Sequence, residues 1–141
     1  MRQIWSQAGL AVMLAVCAAA WRWGGRLERR AAVLVAAGWI VTLAAQRLSG
    51  RLAPVAAFAA VDVVVFFGFL ALSWTDRLGW AIYGVACQGV AVGVHVIRVF
   101  APAMRAWTYL TALAICSYGV LAALAWGAWL AHRAGRMGGR S

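Results

Sequence analysis

The sequence predicts an all-α polytopic membrane protein, a bundle of five transmembrane helices with no soluble domain. Three observations predict it. The 141 residues are 66% hydrophobic and 11% charged, with a mean hydropathy of +0.85, whereas a soluble domain carries about 25% charged residues. Apolar runs of roughly 20 residues recur, the length that crosses a bilayer as a helix. They are continuously apolar, without the period-two alternation of barrel strands.

The expected spans follow in order. The first, residues 4–21, is "IWSQAGLAVMLAVCAAAW". The second, residues 31–46, is the shortest, and could form a tight hairpin with the first. The third covers residues 53–74, the fourth 78–97 and the fifth 107–130. Pro54 and Pro102 fall at span edges, where a missing N–H does little harm. The connections are short, so residues 1–131 form one transmembrane unit, and the glycine- and arginine-rich residues 132–141 read as a disordered basic tail. In an alternative reading, "CAAA" before Trp21 ends a cleaved signal peptide and four spans remain. The four arginines that follow oppose export, and Val16 spoils a lipoprotein box.

The net charge is +10, and all thirteen basic residues are arginine. They sit at the ends of the apolar runs and not along a soluble face, so anionic lipid headgroups, not nucleic acid, are the expected contact. The face that holds the N-terminus and the second and fourth loops, face A, carries Arg2, Arg47, Arg51, Arg98 and Arg105. The opposite face B carries Arg22, Arg26, Arg29, Arg30, Arg77, Arg133, Arg136 and Arg140. The positive-inside rule puts face B in the cytoplasm and the N-terminus outside. Eight of the nine tryptophans, all but Trp39, fall near expected span ends as an interfacial belt.

Polar groups inside the membrane are costly, which makes them the place to look for function. Asp62 lies ten residues into the third span counted from Leu52, or about 15 Å at a rise of about 1.5 Å per residue. Gln88 reaches a similar depth on the antiparallel fourth span, and so do Ser117 and Tyr118 on the fifth, with Thr42 a little nearer face A. Asp62 is expected to meet Gln88, with Ser117 or Tyr118 close by. Gln88 and His95 are seven apart and share a helix face with Gly84 and Ala91. His95 is expected nearer face A, beside Arg98. Such a cluster either fixes helix register through interhelical hydrogen bonds or lines a cavity as a proton or ligand site, Asp and His being suited to a relay. Gly89 and Gly93 form a G-x-x-x-G on the neighbouring face, a site for close helix packing.

Other chemistry is set aside on residue types. Cys17, Cys87 and Cys116 fall inside apolar runs without a C-x-x-C pair and read as small buried hydrophobes. No clustered ligands point to a metal. His95 and His132 lie near opposite faces and cannot ligate one haem together. Glu28 among Arg26, Arg29 and Arg30 reads as a surface ion partner. Hydrolase and nucleotide-binding motifs are missing, and Ser117 and His95 differ in depth. The chain therefore reads as non-enzymatic and without cofactor.

The stretches "WRWGGRLERRAAVLVAAGWIVTL", "VDVVVF", "WTYL" and "YGVLAALAWGAW", with the Gln88/His95 spacing, resemble small uncharacterised inner-membrane proteins of alphaproteobacteria. That resemblance implies a bacterial inner membrane and no particular activity. The leading functional expectation is an accessory or scaffolding subunit that packs with itself or with a larger membrane complex. The first rival is a small proton-coupled transporter or channel using Asp62, Gln88 and His95. The second is a holin- or toxin-like membrane-perturbing protein. A water-accessible cavity that reaches Asp62 would favour the transporter, and a dry Asp62 beside a flat glycine face the scaffold.

Overall fold

The computed structural model describes residues 2–48, 55–76 and 79–138, and among these the secondary structure is entirely helical. The five helices are α1 (Arg2–Trp23), α2 (Arg26–Leu48), α3 (Val55–Asp76), α4 (Gly79–Phe100) and α5 (Ala106–Gly138). Three of them, α3, α4 and α5, contain stretches long and apolar enough to cross a membrane. Arg51, Pro54, Arg77 and Arg140 lie outside the described residues.

The helices form a ring in chain order. Each packs against the next, α5 closes back onto α1, and α2 also touches α5 across the middle. Short links impose this up-and-down order. Only Gly24 and Gly25 separate α1 from α2. A Cβ on Gly24 would lie 2.6 Å from that of Glu28 and against the Ala20 carbonyl, so this close approach requires glycine. The Gly24 amide donates to the Ala20 carbonyl at 2.9 Å and ends α1. The Gly25 amide donates to Glu28 Oε2 at 2.8 Å, and the Gly25 carbonyl accepts the first bond of α2 from Arg29. Gly25 is thus the N-cap and Glu28 the reciprocal half of a capping box. Glu28 is buried, which corrects its reading as a surface ion partner: the free amide at the helix start claims the carboxylate.

Between α4 and α5, Arg98 holds the turn. Its Nη1 donates to the Pro102 carbonyl at 3.0 Å and to the Met104 carbonyl. The α5 helix continues through most of the expected disordered tail, to Gly138. No proline interrupts it, His132 lies against Trp23 with ring centroids 5.8 Å apart, and arginine near a helix C-terminus is favourable.

The face B half of the ring is filled. Phe69, Trp80, Leu121 and Leu124 are fully buried there, with Met13, Ala31, Val35 and Ala128 around them. Glycines make room: a Cβ on Gly84 would fall 2.7 Å from the Phe69 ring, and one on Gly127 2.7 Å from the Trp80 indole. Trp80, expected in the interfacial belt, is therefore a core residue at 2% exposure, because Gly127 offers a flat seat for its ring. Trp21, Trp23, Trp74, Trp107, Trp126 and Trp129 remain exposed.

Candidate functional site

Toward face A the ring does not fill, and a partly open cavity of about 360 Å³ remains between the helices. Val35, Val65 and Val120, which belong to the buried core, form its floor. Trp39, Phe58, Tyr109 and Tyr118 supply aromatic walls, and Thr42, Asp62, Gln88 and Ser117 the polar ones. Leu110 and Tyr118, about half exposed, mark its mouth along α5.

Asp62 stands in the wall with both carboxylate oxygens bonded. Gln88 Nε2 donates to Oδ1 at 2.8 Å, and His95 Nε2 lies 2.7 Å from Oδ2. On its far side, His95 Nδ1 is 2.8 Å from the Tyr109 hydroxyl. The result is an unbroken chain, Gln88–Asp62–His95–Tyr109, drawn from α3, α4 and α5. The His95 side chain is 4% exposed, whereas that of Asp62 is 27% exposed and meets the cavity. Arg98 is the next charge outward, its guanidinium carbon 5.9 Å from the Tyr109 ring centroid.

The local sequence explains the arrangement. The buried residues of α4 are Trp80, Ala81, Gly84, Gln88, Ala91 and His95, a stripe at helical spacing with small residues at its centre. Asp62 projects from α3 onto that stripe and reaches Gln88 on one side and His95 on the other. The expected separation of His95 from Asp62 is corrected. The α4 helix runs on to Phe100, so His95 is five residues inside its end, at the level of Asp62.

Other expected site residues are placed differently. Ser117 Oγ bonds its own helix at the Leu113 carbonyl, 2.9 Å away, and reaches the cavity but not Asp62. The Tyr118 hydroxyl packs beside Gly9, at 3.3 Å from where a Cβ would stand, and likewise makes no bond to Asp62. Gly89 faces Phe66 at ordinary van der Waals distance, and a Cβ on Gly93 would meet nothing within 4 Å. The G-x-x-x-G therefore makes no close helix contact among the described residues; Gly84, Gly119 and Gly127 do that work, because a bulky or sulfur-bearing side chain sits opposite each. Of the headgroup arginines, Arg29 lies 5.9 Å from the Trp21 ring centroid and Arg133 4.6 Å from that of Trp129. Arg22, Arg26, Arg30 and Arg136 are exposed at the same face.

Tyr109 was not singled out by sequence. The signal was present, since the α4–α5 hairpin turns at residues 101–105 and sets Tyr109 opposite His95. Among the described residues no three His, Cys, Asp or Glu side chains converge as a metal site would require. The arrangement suits proton exchange. His95 as a neutral ring donates from Nε2 to Asp62 and accepts from Tyr109; doubly protonated, it donates to both, and the tyrosine hydroxyl serves either state.

Fold and site together define a small all-α protein, with three helices long and apolar enough to cross a membrane and a carboxylate in the wall of a partly open cavity. No protein-family model, curated protein or solved structure matches the chain.

Proposed function

We propose that this protein is a small proton-coupled transporter, in which a solute occupies the cavity and Asp62 takes up and releases a proton through His95. The carrying observation is the position of Asp62: one carboxylate meets a cavity of about 360 Å³ and at the same time bonds His95 at 2.7 Å. A cavity of that size falls in the usual range for small-ligand sites. An ionisable side chain within the membrane that faces a cavity marks a substrate or proton pathway. The cavity puts this reading ahead of the accessory-subunit one. The same proposal places all five helices across a bacterial inner membrane, as the resemblance to small alphaproteobacterial membrane proteins implies, with the N-terminus outside and face B in the cytoplasm.

The test is proton flux in proteoliposomes under an imposed pH gradient, read with an internal pH-sensitive dye. Wild-type protein should give a flux above that of empty vesicles, and Asp62→Asn should remove it while leaving the thermal unfolding midpoint close to wild type. Equal fluxes in wild type, variant and empty vesicles would overturn the reading. The accessory reading keeps one supporting observation, the open surface at Gly93, where a second copy or a larger complex could seat a helix.

A further inference from the structure

The composition of the cavity wall specifies the charge of its ligand. Asp62 is the one carboxylic acid among the lining residues, and no arginine or lysine accompanies it there among the described residues. Arg98 turns its guanidinium to the Pro102 and Met104 carbonyls. Each Asp62 oxygen uses one lone pair on Gln88 or His95 and keeps another. The cavity that this carboxylate meets is also lined by Trp39, Phe58, Tyr109 and Tyr118. Aromatic faces attract a cation through the ring quadrupole, more strongly when water is excluded. The remaining wall is mostly aliphatic, from Val35, Val61, Val65, Leu43 and Leu113. An anion would meet the Asp62 charge, and a strongly hydrated inorganic cation would lose its water against valine and leucine.

Resting on the transport reading above, we infer that the cavity binds a small lipophilic organic cation, an ammonium with an apolar or aromatic body, in competition with a proton on the Asp62–His95 pair. The competition follows from charge. With His95 neutral the pair carries a net charge of −1 and attracts a cation. With one more proton it is net neutral and does not. The groups facing the pair are Gln88 from α4 and Tyr109 from α5, with Tyr118 of α5 and the uncharged Trp39 and Thr42 of α2 further along the wall. Beyond Tyr109 stands Arg98, the nearest fixed charge, held on the Pro102 and Met104 carbonyls. Apart from the pair and Arg98, none of these is charged at neutral pH unless a tyrosine ionises. Binding of the cation to the protonated pair therefore displaces that proton, and each ligand lowers the affinity for the other by the same factor.

Isothermal titration of the full chain in detergent, with empty micelles subtracted, tests this. The probe is benzyltrimethylammonium, whose charge is permanent, so any pH dependence belongs to the protein. Phenylacetate and benzyl alcohol serve as the anionic and neutral counterparts. The cation should bind at least tenfold more tightly than either counterpart. Its affinity should fall by up to tenfold per pH unit on acidification through the titration of the pair. On the acid side of that titration about one proton should be released per cation bound, read from the dependence of the heat on buffer ionisation. Asp62→Asn should weaken binding at least tenfold. Trp39→Leu, which leaves the carboxylate chain intact, should weaken it severalfold, so that a misfolded Asp62 variant does not end the test. Equal binding of the three probes, unaltered cation binding in both variants, or binding on that acid side without proton release would overturn the inference. Proton flux in proteoliposomes without cation binding would sink the ligand class and spare the transport reading; cation binding without flux would do the reverse.

Discussion

At the scale of the residue, the site rests on one carboxylate and what satisfies it. That Asp62 and Gln88 share a depth was legible by counting residues along antiparallel spans. The place of His95 was not, because hydropathy alone does not give the residue at which a helix ends, and three more residues of α4 move a side chain by about 5 Å along the axis. Tyr109 escaped for a different reason: a tyrosine near a span end reads as an interfacial anchor until the turn that pairs α4 with α5 is known. Its hydroxyl is the only bonded partner of His95 Nδ1 among the described residues. Tyr109→Phe removes that partner and leaves a buried nitrogen unsatisfied. Unfolding in detergent should show a loss of about 1–3 kcal/mol, and the pH profile of proton flux should move as well. A variant with wild-type stability and an unmoved profile would take Tyr109 out of the chain.

At the scale of the element, the helices owe their limits to local chemistry and their contacts to glycine. The carboxylate of Glu28 on the Gly25 amide is the capping bond of α2. Glu28→Ala should cost about 1 kcal/mol, measurable as a lower unfolding midpoint, whereas a surface ion partner would cost nothing detectable. Its reading from sequence failed because three neighbouring arginines drew attention to charge and away from the two glycines that start the helix. The helix-packing glycines were misassigned on similar grounds. Spacing shows that Gly89 and Gly93 share a face, but only the neighbouring helix shows which glycines are crowded. Gly127→Val should be destabilising by about 1–3 kcal/mol, since the rigid Trp80 indole cannot step aside. Gly93→Ile should leave the fold intact; a change in oligomeric state on size-exclusion chromatography would instead assign that face to a second copy.

At the scale of the whole molecule, the all-α class was legible from composition and run length alone, because only helices satisfy a backbone within such continuous apolar segments. The cavity was not, since it arises where five helices diverge after their small residues have brought them together toward face B. Face B is basic, with Arg29 and Arg133 against Trp21 and Trp129, and the proposed orientation puts it in the cytoplasm. Replacing Arg26, Arg29 and Arg30 with glutamine should send a fraction of C-terminal reporter fusions to the outside, and an unchanged distribution would count against that assignment. For the Asp62–His95 pair to work in transport, its proton must exchange with water by way of the cavity. Infrared difference spectroscopy in lipid vesicles reads this, with the Asp62→Asn spectrum subtracted to isolate one carboxyl. The expected result is a band that titrates with pH and shifts within the mixing time when the medium is changed to D₂O. A band that stays fixed in both experiments would mean that Asp62 is sealed from water, and that its hydrogen bonds serve packing alone.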